Sequence, residues 1–128
     1  LLIYVQDVMH TRHDMPLVAS GSQLTTALEE MSAKGLGMTG IVNSEGHLIG
    51  IYTDGDVRRS INQSIDVKTT VIDQVMVSDP RTTTADALAA EVVQLMRQHS
   101  INGLFAVDPE QRPIGALNAL DLMRAGIF

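Results

Sequence analysis

Apolar residues recur along this chain in two alternating rhythms, and the alternation happens twice. Leu24, Leu28 and Met31 stand at i, i+4 and i+7, the spacing that places side chains on one face of a helix. They predict a helix over 23–34 with Ser22 as its N-cap. Leu88, Val92, Leu95 and Met96 form a similar stripe within 85–99, where Thr84 takes the capping position. Two short apolar runs with a turn between them follow each helix. Residues 39–42 and 48–52 flank Asn43-Ser44-Glu45-Gly46, and residues 104–107 and 113–117 flank Asp108-Pro109-Glu110-Gln111, so both pairs read as hairpins. A last helix closes each half, at 54–62 and 119–124. Ahead of each first helix lie a helical turn (5–9 and 71–76) and a short extended piece (17–18 and 81–83).

The two halves are copies. Val5-Gln6-Asp7-Val8-Met9 returns as Ile72-Asp73-Gln74-Val75-Met76, and Ile49-Gly50-Ile51 returns as Ile114-Gly115-Ala116. One offset of 65 residues pairs Met31 with Met96, Val42 with Val107, Asp56 with Asp121 and Arg59 with Arg124. Two copies, 1–65 and 66–128, thus account for the chain, with 63–70 as a polar connector. A unit of about 60 residues buries only about 60% of its chain surface and is marginal alone. The predicted fold is therefore α/β (α+β): two pseudo-symmetric units, each strand-helix-hairpin-helix, with their sheets packed together under flanking helices.

Composition narrows the function by exclusion. The chain has no Cys, so disulfides and thiolate metal sites are out, and a cytoplasmic setting fits. No apolar run approaches the ~18 residues of a membrane span. A net charge of −6, no Trp and only two Phe argue against nucleic acid. His10 and His13 are three apart and the other two histidines are isolated, which is too few clustered ligands for a metal site. No nucleophile stands beside a base and no Walker loop is present, so the chain is not expected to catalyse a reaction by itself. It starts at Leu1 without an initiating Met, which reads as a region taken from a longer protein.

The candidate chemistry gathers at Gly50-Ile51-Tyr52-Thr53-Asp54-Gly55-Asp56-Val57-Arg58-Arg59. An apolar strand ends at Thr53 and runs directly into a helix, whose N-terminus favours anions. Thr53 suits a cap or a phosphate contact, and the carboxylate of Asp56 suits a sugar diol. Gly50 and Gly55 leave room for a ligand to approach the backbone. Arg58, or Arg12 from the lead-in segment, is the cation expected to reach a phosphate, with Arg59 left as a surface charge or as a contact for a partner subunit. The simpler reading keeps Thr53 and Asp54 as capping residues only.

This pattern resembles a tandem pair of CBS domains, a Bateman module. The family's nucleotide motif is Gly, two apolar residues, Thr or Ser, two variable residues, then Asp, and Gly50 through Asp56 match it. The resemblance implies that Thr53 contacts phosphate or ribose oxygens and Asp56 takes the ribose hydroxyls, with Asp54 beside them. It further implies a base pocket at Met38, Thr39 and Gly40, joined by His10, Thr11 and Arg12. The second copy departs from the motif, with Asn118 for Thr and Leu120 for Gly55. A weaker site at Asn118, Asp121 and Gly103 is expected there.

Thr53 to Arg59, Lys34-Gly35-Leu36-Gly37-Met38-Thr39 and Arg124-Ala125-Gly126-Ile127 are together similar to the C-terminal region of bacterial arabinose 5-phosphate isomerases. Those enzymes carry a catalytic sugar-isomerase (SIS) domain ahead of the CBS pair. The resemblance implies a regulatory module in the bacterial cytoplasm that self-associates as a dimer or tetramer. It requires no cofactor, and CMP-Kdo or AMP/ATP are its candidate effectors. A structural dimerisation module without a small-molecule ligand is the alternative.

Overall fold

The computed structural model describes residues 2–128. In chain order the elements are α1 (Val5–Val8), β1 (Leu17–Ala19), α2 (Leu24–Lys34), β2 (Met38–Val42), β3 (Leu48–Thr53), α3 (Asp54–Asn62), β4 (Val77–Ser78), β5 (Thr82–Thr83), α4 (Ala89–His99), β6 (Gly103–Val107), β7 (Pro113–Asn118) and α5 (Ala119–Arg124). Single 3-10 turns lie at Arg12–Asp14 and Ile72–Gln74. The offset of 65 carries α2 onto α4, β2 onto β6 and β3 onto β7 residue for residue. Even the bulges correspond, at Ile41/Val42 and Ala106/Val107.

The compact units do not follow the copies. One unit is Pro16–Pro80; the other joins the N-terminal segment through Met15 to Arg81–Phe128. Each unit's sheet is therefore completed by the lead-in segment of the other copy. In the Pro16–Pro80 unit the order is β1-β2-β3-β4, with β1 parallel to β2 and the other pairs antiparallel. In the second unit the order is β5-β6-β7, and His10 adds one further rung by exchanging backbone hydrogen bonds with Ala116 (2.8 and 2.9 Å).

The lead-in segments also decide where the first helices begin. In the Pro16–Pro80 unit, Leu24 N–H donates to Thr70 and Ile72 N–H donates to Ser22, both at 2.8 Å. Gln23, not Ser22, is the N-cap of α2, and its side chain makes no cap bond. In the second unit Val5 N–H donates to Ala87 and Gln6 N–H to Ala85, while Ala89 N–H donates to Ile3. Residues 84–87 form a turn, closed by Ala87 N–H donating to Thr84, and those bonds hold it off the helix, so α4 starts at Ala89 rather than near 85, with extended Leu88 as N-cap. Thr84 instead bonds Asp86 at 2.7 Å.

Each unit carries its own cluster of buried apolar side chains. Val18, Leu24, Ala27, Met31, Ile41, Tyr52 and Ile72 form one, and nine residues that include Val5, Val92, Met96, Leu104 and Leu122 form the other. Buried Tyr52 needs a partner for its hydroxyl and finds it in Ser60, 2.8 Å away. The second copy has Leu117 and Ala125 at those positions, so the polar pair is replaced as a pair.

The lead-in segment fits because a glycine faces it. A Cβ at Gly50 would lie 2.4 Å from Sδ of Met76, and one at Gly115 would lie 2.2 Å from Sδ of Met9. These two glycines thus admit a methionine, where the sequence suggests room for a ligand at Gly50. Elsewhere the lead-in of the Pro16–Pro80 unit is tied down by Asp73, which accepts from Ser20 Oγ (2.5 Å) and Gly21 N–H (2.7 Å). Those two bonds hold the Asp73 carboxyl below its ordinary value.

Two stability tests follow from this packing. Gly50→Ala and Met76→Ala should each destabilise the chain, and the double substitution should cost less than their sum by about 0.5 kcal/mol or more in denaturant unfolding. Strict additivity would mean that methionine and glycine do not constrain each other. At the end of α2, Gly35 adopts φ 69°, and at the same place in α4 Ser100 is forced to φ 53°. Ser100→Gly should raise stability by about 1 kcal/mol, read as a higher denaturant midpoint.

Candidate functional site

The hairpin hands its last strand directly to a helix, and the handover fixes the site. β3 ends at Thr53, whose extended backbone (φ −121°, ψ 171°) makes it the N-cap of α3. Its hydroxyl accepts from Asp56 N–H at 3.4 Å, and Asp56 Oδ2 accepts from Thr53 N–H (2.9 Å) and Thr53 Oγ1 (3.0 Å). This is a capping box, with Asp in the position usually held by Glu. It leaves Asp56 only 5% exposed. The other carboxylate oxygen, Oδ1, meets Nη2 of Arg59 in an i,i+3 ion pair.

The remaining first-copy candidates surround this cap. Met38 is the direct cross-strand partner of Thr53, followed by Thr39 opposite Tyr52 and Gly40 opposite Ile51. All three are buried, and Thr39 Oγ1 bonds only to the carbonyl of Gly40, at 3.3 Å. Asp54 is exposed; its N–H donates to the carbonyl of Gly37 at 3.0 Å. Arg58 points out on the exposed face of α3 and makes no ion pair among the described residues. Arg59, expected as a surface charge, is the arginine that pairs with Asp56. The signal was present, because a residue three positions after Asp56 shares its side of a helix and a residue two positions after does not.

The second copy repeats the cap with different chemistry. Asn118 is the N-cap of α5; Asp121 Oδ2 accepts its N–H at 2.9 Å, and Asn118 Oδ1 accepts from Asp121 N–H at 2.9 Å. Gly103, the first residue of β6, pairs with Asn118 as Met38 does with Thr53. Here the free oxygen, Asp121 Oδ1, meets His10 Nε2 at 2.8 Å. His10 therefore stands with Asp121, in a different unit from Thr53 and Asp56, because its backbone is stitched to Ala116 of β7. Thr11 and Arg12 follow it; both are exposed, and Arg12 is held in the left-handed region at φ 53°. The structure thus brings together Thr53, Asp54, Asp56, Met38, Thr39 and Gly40 around one cap. It sets His10, Asn118, Asp121 and Gly103 around the other.

Two caps of this kind, each at the end of a hairpin and each repeated at a fixed offset, define a class of protein. Residues 5–63 and 72–127 each match the CBS domain family, and the chain belongs to that family as a tandem pair. Over all of its 128 residues it is 49% identical to the arabinose 5-phosphate isomerase KdsD of Pseudomonas aeruginosa, and over 127 residues 36% identical to KdsD of Escherichia coli K12. It covers 39% and 38% of those proteins, and so spans well under half the length of these curated relatives. A CBS domain pair solved with 5′-methylthioadenosine and S-adenosyl-L-methionine superposes with a TM-score of 0.88 at 22% identity, covering 98% of this chain and 97% of that one. CBSX2 in complex with AMP superposes with a TM-score of 0.81 at 20% identity, covering 98% and 96%. No helix among the described residues is long and apolar enough to cross a membrane.

Because Asp56 is part of a capping box, it cannot be removed without a structural cost. Asp56→Ala leaves the N–H and hydroxyl of Thr53 without their acceptor, and should lower stability by about 1–3 kcal/mol in denaturant unfolding. An unchanged midpoint would show that the box contributes nothing.

Proposed function

We propose that this chain is a regulatory module that senses a nucleotide or nucleotide sugar through Thr53 and Asp56, and passes its occupancy to an attached sugar-phosphate isomerase domain. The observation that carries the reading is the state of Asp56. Its carboxylate is buried and oriented by two bonds from Thr53, while its second oxygen is met only by the exposed side chain of Arg59. An acceptor fixed in this way suits a ribose hydroxyl, and Thr53 with the first turn of α3 suits a phosphate. The second cap, with Asn118 and a histidine on Asp121, is the weaker site.

The likeness to KdsD, which runs the whole length of this chain, supports the wider setting. In this reading the parent protein interconverts ribulose 5-phosphate and arabinose 5-phosphate in the bacterial cytoplasm, and its SIS domain carries the chemistry. CMP-Kdo, the activated end product of the route that starts from arabinose 5-phosphate, is then a natural feedback effector, with AMP or ATP as the rival. A net charge of −6 disfavours the more highly charged ATP. A second reading, a structural dimerisation module, draws support from Leu120 and Met123 on α5, which stay 45% and 55% exposed. In either reading the chain forms at least a homodimer.

Thermal melts and titration calorimetry separate the two. A ligand at a hundredfold over its dissociation constant should add about 2.7 kcal/mol, several degrees for a chain this size. CMP-Kdo is expected to bind more tightly than AMP, and arabinose 5-phosphate hardly at all. Asp56→Ala should weaken the bound nucleotide about tenfold or more, and Asp121→Ala much less. No shift with any of the three compounds would leave the structural module standing.

A further inference from the structure

The chain contains its own control for the site, because the two caps are built alike and their second carboxylate oxygen is occupied differently. Asp56 and Asp121 each give one oxygen to the backbone N–H of the N-cap residue, at 2.9 Å. The remaining oxygen takes Arg59 in one copy and His10 in the other. Arg124 occupies the place of Arg59 in the repeat, yet it makes no ion pair with Asp121 among the described residues.

The difference traces to one position. Residues four apart lie over one another on a helix, so the side chain of Arg59 must cross position 55 to reach the first turn. Position 55 is glycine, and the Nη2 and Nη1 atoms of Arg59 lie 3.5 and 3.7 Å from where its Cβ would be. The matching residue in the second copy is Leu120, which puts a branched side chain where the first copy has none. Gly55 and Arg59 therefore act as a pair: the glycine supplies the space that the guanidinium uses.

The ion pair this allows is weakly held. Arg59 is 63% exposed, so solvent screens it, and its charge sits at the end of the helix where cations are disfavoured. The oxygen it covers is nonetheless the one that Asp56 has left to offer a ligand. A neutral hydroxyl must compete for that oxygen against a charged donor, and neutral hydrogen bonds are the weaker kind. A ligand that also carries a phosphate or carboxylate meets no such barrier, because its anion binds the guanidinium and draws it away.

Resting on the ligand-sensing reading above, we propose that Arg59 sets the specificity of the α3 site. Its pair with Asp56 closes the diol acceptor until a ligand brings an anion to release it. The site thereby selects sugar diols that carry a phosphate or carboxylate over the neutral nucleosides of the same shape. The anion of the ligand and its diol are recognised in one linked event, since taking the first uncovers the acceptor for the second.

Titration calorimetry on the 128-residue chain tests this with two pairs of compounds, AMP with adenosine and CMP with cytidine. Wild type should bind the better nucleotide at least about tenfold more tightly than its nucleoside. Arg59→Ala should weaken the nucleotide and tighten the nucleoside, so that the ratio falls to about threefold or less. Arg59→Lys, which keeps the charge without the planar fork, should fall between. The gain in nucleoside affinity is the decisive sign, because a merely structural role for Arg59 would weaken both ligands together. A ratio unchanged in Arg59→Ala, or a nucleoside weakened along with its nucleotide, overturns the role of Arg59 while the ligand-sensing reading stands. Failure of wild type to bind any of the four overturns this inference, and if CMP-Kdo also fails to bind, the ligand-sensing reading falls with it.

Discussion

In each unit a methionine lies across a glycine, and much of the fold depends on that contact. Met76 covers Gly50 and Met9 covers Gly115, each at a distance that no Cβ would tolerate. The contact lets a lead-in segment settle along the sheet, where Val77 pairs with Ile51 in one unit and His10 with Ala116 in the other. The same segments then pair with the residues just ahead of α2 and α4 and thereby set where those helices start. Sheet edge, helix start and the placing of His10 are thus consequences of one steric fit.

The site inherits its rigidity from helix capping. Asp56 is oriented because a helix N-terminus must satisfy its free N–H groups, and the Thr53–Asp56 box does so reciprocally. An acceptor held for structural reasons is held in one orientation, which is also what the proposed recognition of a ligand calls for. This explains how the capping reading of Thr53 and Asp56 and the binding reading can both be true. Asn118 and Asp121 meet the same structural need, which is why the cap survives in the second copy although its motif has changed.

Much of this was legible in the residues, and what was missed has a common cause. The offset of 65 carries whole elements from one copy to the other, and the hairpins and closing helices stand where alternation and turn residues put them. Applied to α2, the same offset would have started α4 at Ala89; the apolar stripe alone extended it back to 85. The backbone bonds from 3–6 that hold the turn at 84–87 out of the helix are long-range, and no local periodicity reports them. The family resemblance groups His10 with Thr53 and Asp56, whereas its segment belongs to the unit that holds Asp121. The Arg59–Asp56 ion pair is the instructive exception, since helical spacing from Asp56 is enough to foresee it.

The division into units has a consequence for how the chain is made. Pro16–Pro80 is one uninterrupted stretch, while the other unit is assembled from both ends of the sequence around it. During synthesis the uninterrupted unit can close as soon as Pro80 has emerged. The N-terminal turn, with Val5 and Met9, must wait for β7 before its apolar side chains find their place. The two halves of a tandem repeat that look equivalent on paper are therefore unequal in topology: one is local, and the other bears the loop-closure entropy of the whole insertion. A cut at the repeat boundary would leave neither piece with a complete sheet, whereas a cut at the unit boundary would release one intact.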